Sequence, residues 1–199
     1  KSFCDDGSGF IRSEGAGIII IKSLKKAQEH KNPILSLIKG SAVLHGGKGF
    51  SLEAPSAKGI KEVIRASIRK SGVDVDTIDY VEAHGIANRM ADAIELSAIN
   101  DAYKELSSDP QKKWHIGSIK PTIGHSELAS GMASLIKVVK AFQNKKIPGI
   151  AGLDVLNTEL DPQHSMILSP DSSSWKNGSH PRRASVNSYA VGGVNAHII

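Results

Sequence analysis

The strongest constraint on the fold is an alternation between two hydrophobic periods. Residues 56–71 place Ile60, Val63, Ile64 and Ile68 on one stripe and Lys/Arg side chains on the other, the 3.6-residue period of a surface helix. Gly72 follows and predicts its end. Residues 78–82 then read as a strand, 90–106 as a helix, 115–119 as a strand and 127–143 as a helix. The last is the clearest, with Leu128, Met132, Leu135, Ile136, Val139 and Phe142 in register. Its Ala129, Gly131, Ala133 and Ser134 are small, which predicts close packing against another element. Strands alternating with helices imply an α/β layered fold.

The flanks add strands. The β-branched run AGIIIIK at 16–22 fits a buried strand after a glycine-rich loop, and Ser23 is placed to cap a short helix through Glu29. ILSLIKGSAVLH at 34–45 reads as a second long strand, broken by Gly46, Gly47 and Gly49. Residues 145–178 are loop-rich, with Pro148, Pro162 and Pro170 and one short strand at 166–168. The end, ASVNSYAVGGVNAHII, reads as strand, turn at Gly192–Gly193, strand.

Composition excludes several function classes. With 199 residues, 40% hydrophobic and 23% charged, the chain matches a globular protein able to bury a sizeable core. Its formal charge of +5 comes from scattered Lys and Arg, most of them opposite apolar helix positions. These read as solvated faces rather than a nucleic-acid surface, although a mildly positive surface suits an acidic protein partner. Cys4 is the single cysteine, so a disulfide framework is excluded and a reducing, cytoplasmic setting is expected. No run of about 18 apolar residues predicts a membrane span. The polar opening without Met, and without a signal peptide, reads as a fragment boundary or a mature cut.

Of the eight histidines, His30, His164 and His180 lie in polar, loop-like contexts, and His45 and His115 border strands. His84 in VEAHG and His125 in KPTIGHSE both fall at strand–loop–helix junctions, where α/β sheets present groups to ligands. Taken singly, each reads as structural. As a pair in matching contexts, with Lys120 and Glu127 close by, they form the candidate chemical centre. A metal site is not expected: there is no HExxH, no His-x-His and no cysteine pair. No GxGxxG, phosphate loop or GxSxG elbow is present either. Asp92 and Glu95 follow His84 on the same helix, at a spacing that reads as helix capping or salt bridges before it reads as an active carboxylate pair.

Four stretches occur in order: DGSGFIRSEGAGIII, VEAHGIANRMADAIE, IGSIKPTIGHSELASGMASLIK and VNSYAVGGVNAHII. Together they resemble the successive motifs of β-ketoacyl synthases, the condensing enzymes of fatty acid and polyketide synthesis, in the style of modular polyketide synthases. The resemblance runs from Phe3 to Ile199. It implies a thiolase-like fold, layered α-β-α-β-α, of which residues 1–45 would end the N-terminal half and 46–199 would form the C-terminal half. It also implies a homodimer of the intact domain.

The family joins acyl and malonyl thioesters carried on the phosphopantetheine arm of acyl carrier protein. The resemblance therefore implies catalytic roles for His84 and His125, which match the family's two histidines, and for Lys120, which matches its lysine. Glu127 matches a glutamate after the second histidine, and lysine and glutamate are expected to fix histidine orientation and protonation. Gly192 and Gly193 match the GG turn; Val191 before it would lend an N–H to an oxyanion hole and gate the acyl pocket. Being smaller than the aromatic residue frequent there, Val191 is expected to admit bulkier acyl chains. Ile86 and Asn88 stand where the family's HGTGT motif has hydroxyls that contact phosphopantetheine, with Ala87 at the glycine between. The family nucleophile lies in a segment upstream of this sequence, so Cys4 is not the nucleophile and that N-terminal segment is an expected partner. His197 and Asn195 read as structural. Two alternatives stand beside condensation: a non-extending domain that only transfers acyl chains, and a non-catalytic remnant that docks carrier protein or scaffolds an assembly line.

Overall fold

The structure, a computed structural model, describes residues 1–47, 55–161 and 163–199; Gly49 and Pro162, read above as loop residues, lie outside them. In chain order the elements are α1 (Leu24–Glu29), β1 (Ser41–His45), α2 (Ala57–Ser71), β2 (Tyr80–Glu82), α3 (Arg89–Leu106), β3 (Trp114–Gly117), α4 (Lys120–Ile123), α5 (Ser130–Asn144), β4 (Lys146–Ile147), β5 (Met166–Leu168), β6 (Ser173–Ser174), β7 (Ala184–Tyr189) and β8 (Val194–Ile198). Six strands form one mixed sheet in the order β1-β8-β7-β2-β3-β5. Strands β7, β2, β3 and β5 pair in parallel, while β8 runs antiparallel between β7 and β1. Residues 41–45 thus share a sheet with the C-terminal hairpin.

Helices cover both faces. On one face α2 lies over β1 and β8 with α3 beside it. Ser56 caps α2 by accepting the Gly59 N–H at 3.1 Å, and Gly72 closes it in the left-handed conformation at φ 61°. The expected stripe of Ile60, Val63, Ile64 and Ile68 is buried in the main core, beside Val81, Ile99, Tyr103 and Trp114. Each such side chain contributes about 1.5–3 kcal/mol. On the opposite face α5 packs on β7, with Tyr80, Val138, Ala141, Trp175 and Val186 between them. Its small residues permit the close approach: a Cβ on Gly131 would lie 3.0 Å from Ser188 Oγ. Among the described residues no helix is long and apolar enough to cross a membrane.

Four expectations need correction. The run 16–22 forms no strand, and Ile18 and Ile20 are more than nine-tenths exposed. A strand exists only with a paired neighbour, and among the described residues no sheet edge lies beside it. The long strand at 34–45 shrinks to β1: Lys39 and Gly40 still bond the backbone of Ile199, Gly40 is pressed against Ser67 and Ser71 of α2, and residues 34–38 form no strand. The strand expected at 115–119 ends at Gly117; residues 120–123 turn into α4 with Pro121 at its start. The apolar stripe of α5 faces the sheet only in part: Leu135 and Phe142 pack, partly buried, against the cluster under the helix. Ser130, Ser134, Val138 and Ala141 are its buried residues, whereas Leu128 is fully exposed in the 3-10 turn before the helix.

Candidate active site

The end of β2 and the start of α3 build the loop that carries His84. Asn88 caps α3, its Oδ1 accepting the Ala91 N–H at 3.0 Å. One turn later Asp92 and Glu95 point back under the loop, both buried. Glu95 accepts the N–H groups of His84 at 2.7 Å and Gly85 at 2.8 Å. Asp92 accepts those of Ile86 at 2.9 Å and Phe3 at 2.7 Å. The two carboxylates therefore shape the backbone that presents His84; among the described residues neither forms a salt bridge, and Asn88 rather than Asp92 is the cap. Ala87 is held in the left-handed region at φ 61°, a conformation that costs a residue with a Cβ about 1–2 kcal/mol.

The turn after β3 brings the partners. Lys120 is buried, with Nζ 3.4 Å from His84 Nδ1 and hydrogen-bonded to the His84 carbonyl. His125 lies edge-on to His84, their ring centroids 5.4 Å apart at 85°. Backbone bonds fix His125: its N–H donates to Ile11 O at 2.8 Å, and its carbonyl accepts from Ser13 at 3.1 Å. Its Nδ1 accepts the Glu127 N–H at 3.0 Å, which leaves its proton on Nε2. His84 Nδ1 faces the Lys120 ammonium and the Tyr189 N–H, at 3.5 Å, so its proton also belongs on Nε2.

Electrostatics keep both rings neutral. Burial pushes the His84 imidazole well below its usual pKa, helped by the Lys120 charge and by His125. His125 is lowered for the same first reason, with Lys120 adding to it. Burial also lowers the Lys120 ammonium to about 8, against the pull of Glu95, Glu82 and Asp92. Asp92 is pushed up by burial to about 6 and Glu95 to about 7, although the backbone N–H groups and Lys120 oppose this. The result is two neutral imidazoles, each with an Nε2–H, beside one buried ammonium. Groups of this kind are donors suited to an acceptor on which negative charge develops.

The other candidates are spread around this centre. Glu127 reaches His125 through its backbone N–H; its carboxylate turns outward to Arg12 at 2.9 Å. Val191 is exposed at the tip of the β7–β8 hairpin, whose turn is closed by Gly193 N–H to Ala190 O at 3.0 Å with Gly192 and Gly193 at positive φ. Ile86 is half-buried and Asn88 exposed, the latter with its oxygen already used by α3. Cys4 is buried and its thiol donates to Gly152 O at 3.3 Å. His197 and Asn195 are buried within β8, under α2.

Several residues at the site escaped the sequence reading. Tyr189 packs its ring 5.3 Å from His84, and Phe10 packs 4.6 Å from His125. Glu82, fully buried, binds Lys137 at 2.6 Å, the Tyr80 hydroxyl at 2.5 Å and the Ile119 N–H at 2.7 Å. One signal was present: a carboxylate inside an otherwise apolar strand needs a buried cation, and Lys137 is the one lysine between Ser126 and Val139.

A mixed α/β sheet with a histidine pair at its strand ends defines a class of enzyme-like α/β folds, and comparison with known proteins narrows it. Residues 35–154, more than half of the chain, match the family model "Beta-ketoacyl synthase, C-terminal domain". Polyketide synthase PksR of Bacillus subtilis is 45% identical over the whole chain, which spans 8% of that protein. Polyketide synthase ThaG of Burkholderia thailandensis is 42% identical, again over the whole chain, which spans 4% of it. Among solved structures, the ketosynthase from module 6 of the bacillaene synthase of Bacillus subtilis 168 superposes with a TM-score of 0.94 at 33% identity; all of this chain is covered, and 35% of that one. Ketosynthase twelve of the bacillaene polyketide synthase of Bacillus amyloliquefaciens gives 0.93 at 28% identity, covering 36% of that chain. This chain belongs to the β-ketoacyl synthase family, with the thiolase-like fold of its ketosynthase neighbours and the sequence of a polyketide synthase ketosynthase domain. It spans about a third of the length of those solved domains.

Proposed function

We propose that this chain supplies the histidine side of a ketosynthase centre that condenses carrier-bound thioesters with loss of CO2, in the cytoplasm. The observation that carries this reading is the meeting of His84 and His125, ring edge to ring face, with both Nδ1 atoms already engaged. A malonyl thioester on the phosphopantetheine arm of an acyl carrier protein would present its carbonyl oxygen to the two Nε2–H groups. The bond to the malonyl carboxylate breaks, CO2 leaves, and its electron pair passes into the thioester as an enolate. Donors aimed at that oxygen bind the enolate more strongly than the ground-state carbonyl. The enolate carbon then attacks an acyl thioester on a cysteine, expelling the thiolate.

Cys4, buried and bonded to Gly152 O, does not serve as that cysteine, which a part of the ketosynthase domain outside these residues supplies. Val191 and the Gly192–Gly193 turn gate the acyl side, and the intact domain works as a homodimer. Ile86 offers no hydroxyl to the arm and Asn88 has only its amide N–H groups left, which weakens carrier binding by about 0.5–1.5 kcal/mol per lost hydrogen bond. That same pair of residues favours, as the second reading, a domain that passes acyl chains without extending them.

The test is CO2 release from malonyl carrier protein by the full-length native polypeptide. Condensation predicts release, and a fall of about 10²–10³-fold in His125→Ala. Acyl transfer without CO2 release would replace this reading with the non-extending one. Carrier binding without either reaction would leave a docking role.

A further inference from the structure

We propose that Glu82 and Lys137 are positioning residues for the histidine centre, a role that rests on the condensing reading above. Glu82 ends β2, two residues before His84, and is fully buried. Its Oε1 accepts the Ile119 N–H at 2.7 Å, while Oε2 takes the Tyr80 hydroxyl at 2.5 Å and the Lys137 ammonium at 2.6 Å. Ile119 immediately precedes Lys120, whose ammonium holds His84 through Nδ1 and the carbonyl. Lys137 stands on α5, the helix entered directly from the His125 loop through one 3-10 turn. One carboxylate therefore ties together the strand that leads to His84, the turn that bears Lys120 and the helix that continues from His125.

Charge makes the tie specific. Among the described residues Lys137 is the sole cation within bonding distance of Glu82. A buried carboxylate that loses its cation takes up a proton or captures the next ammonium. Lys120 is that ammonium, since it directly follows Ile119, whose N–H Glu82 already holds at 2.7 Å. Drawn to Glu82, Lys120 would leave His84 Nδ1 to the Tyr189 N–H alone, at 3.5 Å, so that Nδ1 and Nε2 compete for the ring proton. His84 would lose its donor in the direction of the substrate while every backbone element stayed in place.

The experiment compares Lys137→Met and Lys137→Arg in the full-length native polypeptide. The first readout is the kcat and KM for CO2 release from malonyl carrier protein; the second is the 15N spectrum of labelled histidine, which reports the tautomer of His84. Positioning predicts that Lys137→Met lowers kcat about 10–100-fold with KM nearly unchanged, and mixes the His84 tautomers. Lys137→Arg should restore both. Where Lys137→Met does not fold, Lys137→Gln, which keeps a donor but no charge, is read in its place with the same expectation. A folded variant without the charge that keeps wild-type kcat and a single Nε2–H tautomer overturns the proposal. If the wild-type polypeptide releases no CO2, the condensing reading falls, and the His84 spectrum still decides the positioning.

Discussion

Glu95→Gln separates the energetics of the site from its shape. In the wild type, Glu95 accepts two consecutive backbone N–H groups and is otherwise surrounded by protein. Burial raises its carboxyl from 4.5 to about 7, so ionising it in the fold costs about 3 kcal/mol. The sign follows from proton binding: between pH 4.5 and about 7 the folded state holds a proton that the unfolded state has released, so stability falls as pH rises through that window. Glutamine has no such proton. It keeps one acceptor and turns an NH2 toward the other N–H, which costs about 1–3 kcal/mol at every pH. The stability difference between pH 5 and pH 8 should therefore be about 3 kcal/mol smaller in Glu95→Gln than in the wild type. Urea denaturation followed by fluorescence measures it, with Trp114 and Trp175 as buried reporters. Equal pH dependence in the two proteins, or a wild type that gains stability as pH rises through this range, would refute the linkage.

Two further outcomes are expected. Gly117→Ala places a Cβ 1.9 Å from the Tyr80 hydroxyl, which overpacks the core beneath Glu82; a loss of about 3 kcal/mol should appear as a lowered denaturation midpoint, and a wild-type midpoint would contradict the packing. Asn88→Ala removes the α3 cap and should cost about 1 kcal/mol, restored by Asn88→Ser; equal loss in both variants would mean the side chain acts otherwise.

The alternation of periods made α2 and α3 legible within a residue or two, because each buries a face against elements inside this chain, and the Gly192–Gly193 turn marked the β7–β8 hairpin. The runs at 16–22 and 34–40 misled for the complementary reason: β-branched composition records a wish for a paired, covered strand, not the presence of the neighbour. The histidines and Lys120 could be singled out from motif and junction. The Glu82–Lys137 pair left only the trace of a carboxylate in an apolar strand, because its partner lies 55 positions away. Asp92 and Glu95 misled in another way. Charge spacing on a helix suggests partners on that helix, whereas both carboxylates serve the backbone of the preceding loop, which only folded geometry reveals.

The most direct measurement is a crystal structure of the full-length native polypeptide, or of its ketosynthase domain, with a non-hydrolysable malonyl thioester bound. Both Nε2 atoms, from His84 and His125, should lie about 3 Å from the one carbonyl oxygen. An oxygen held by other groups, with the imidazoles turned elsewhere, would contradict the account.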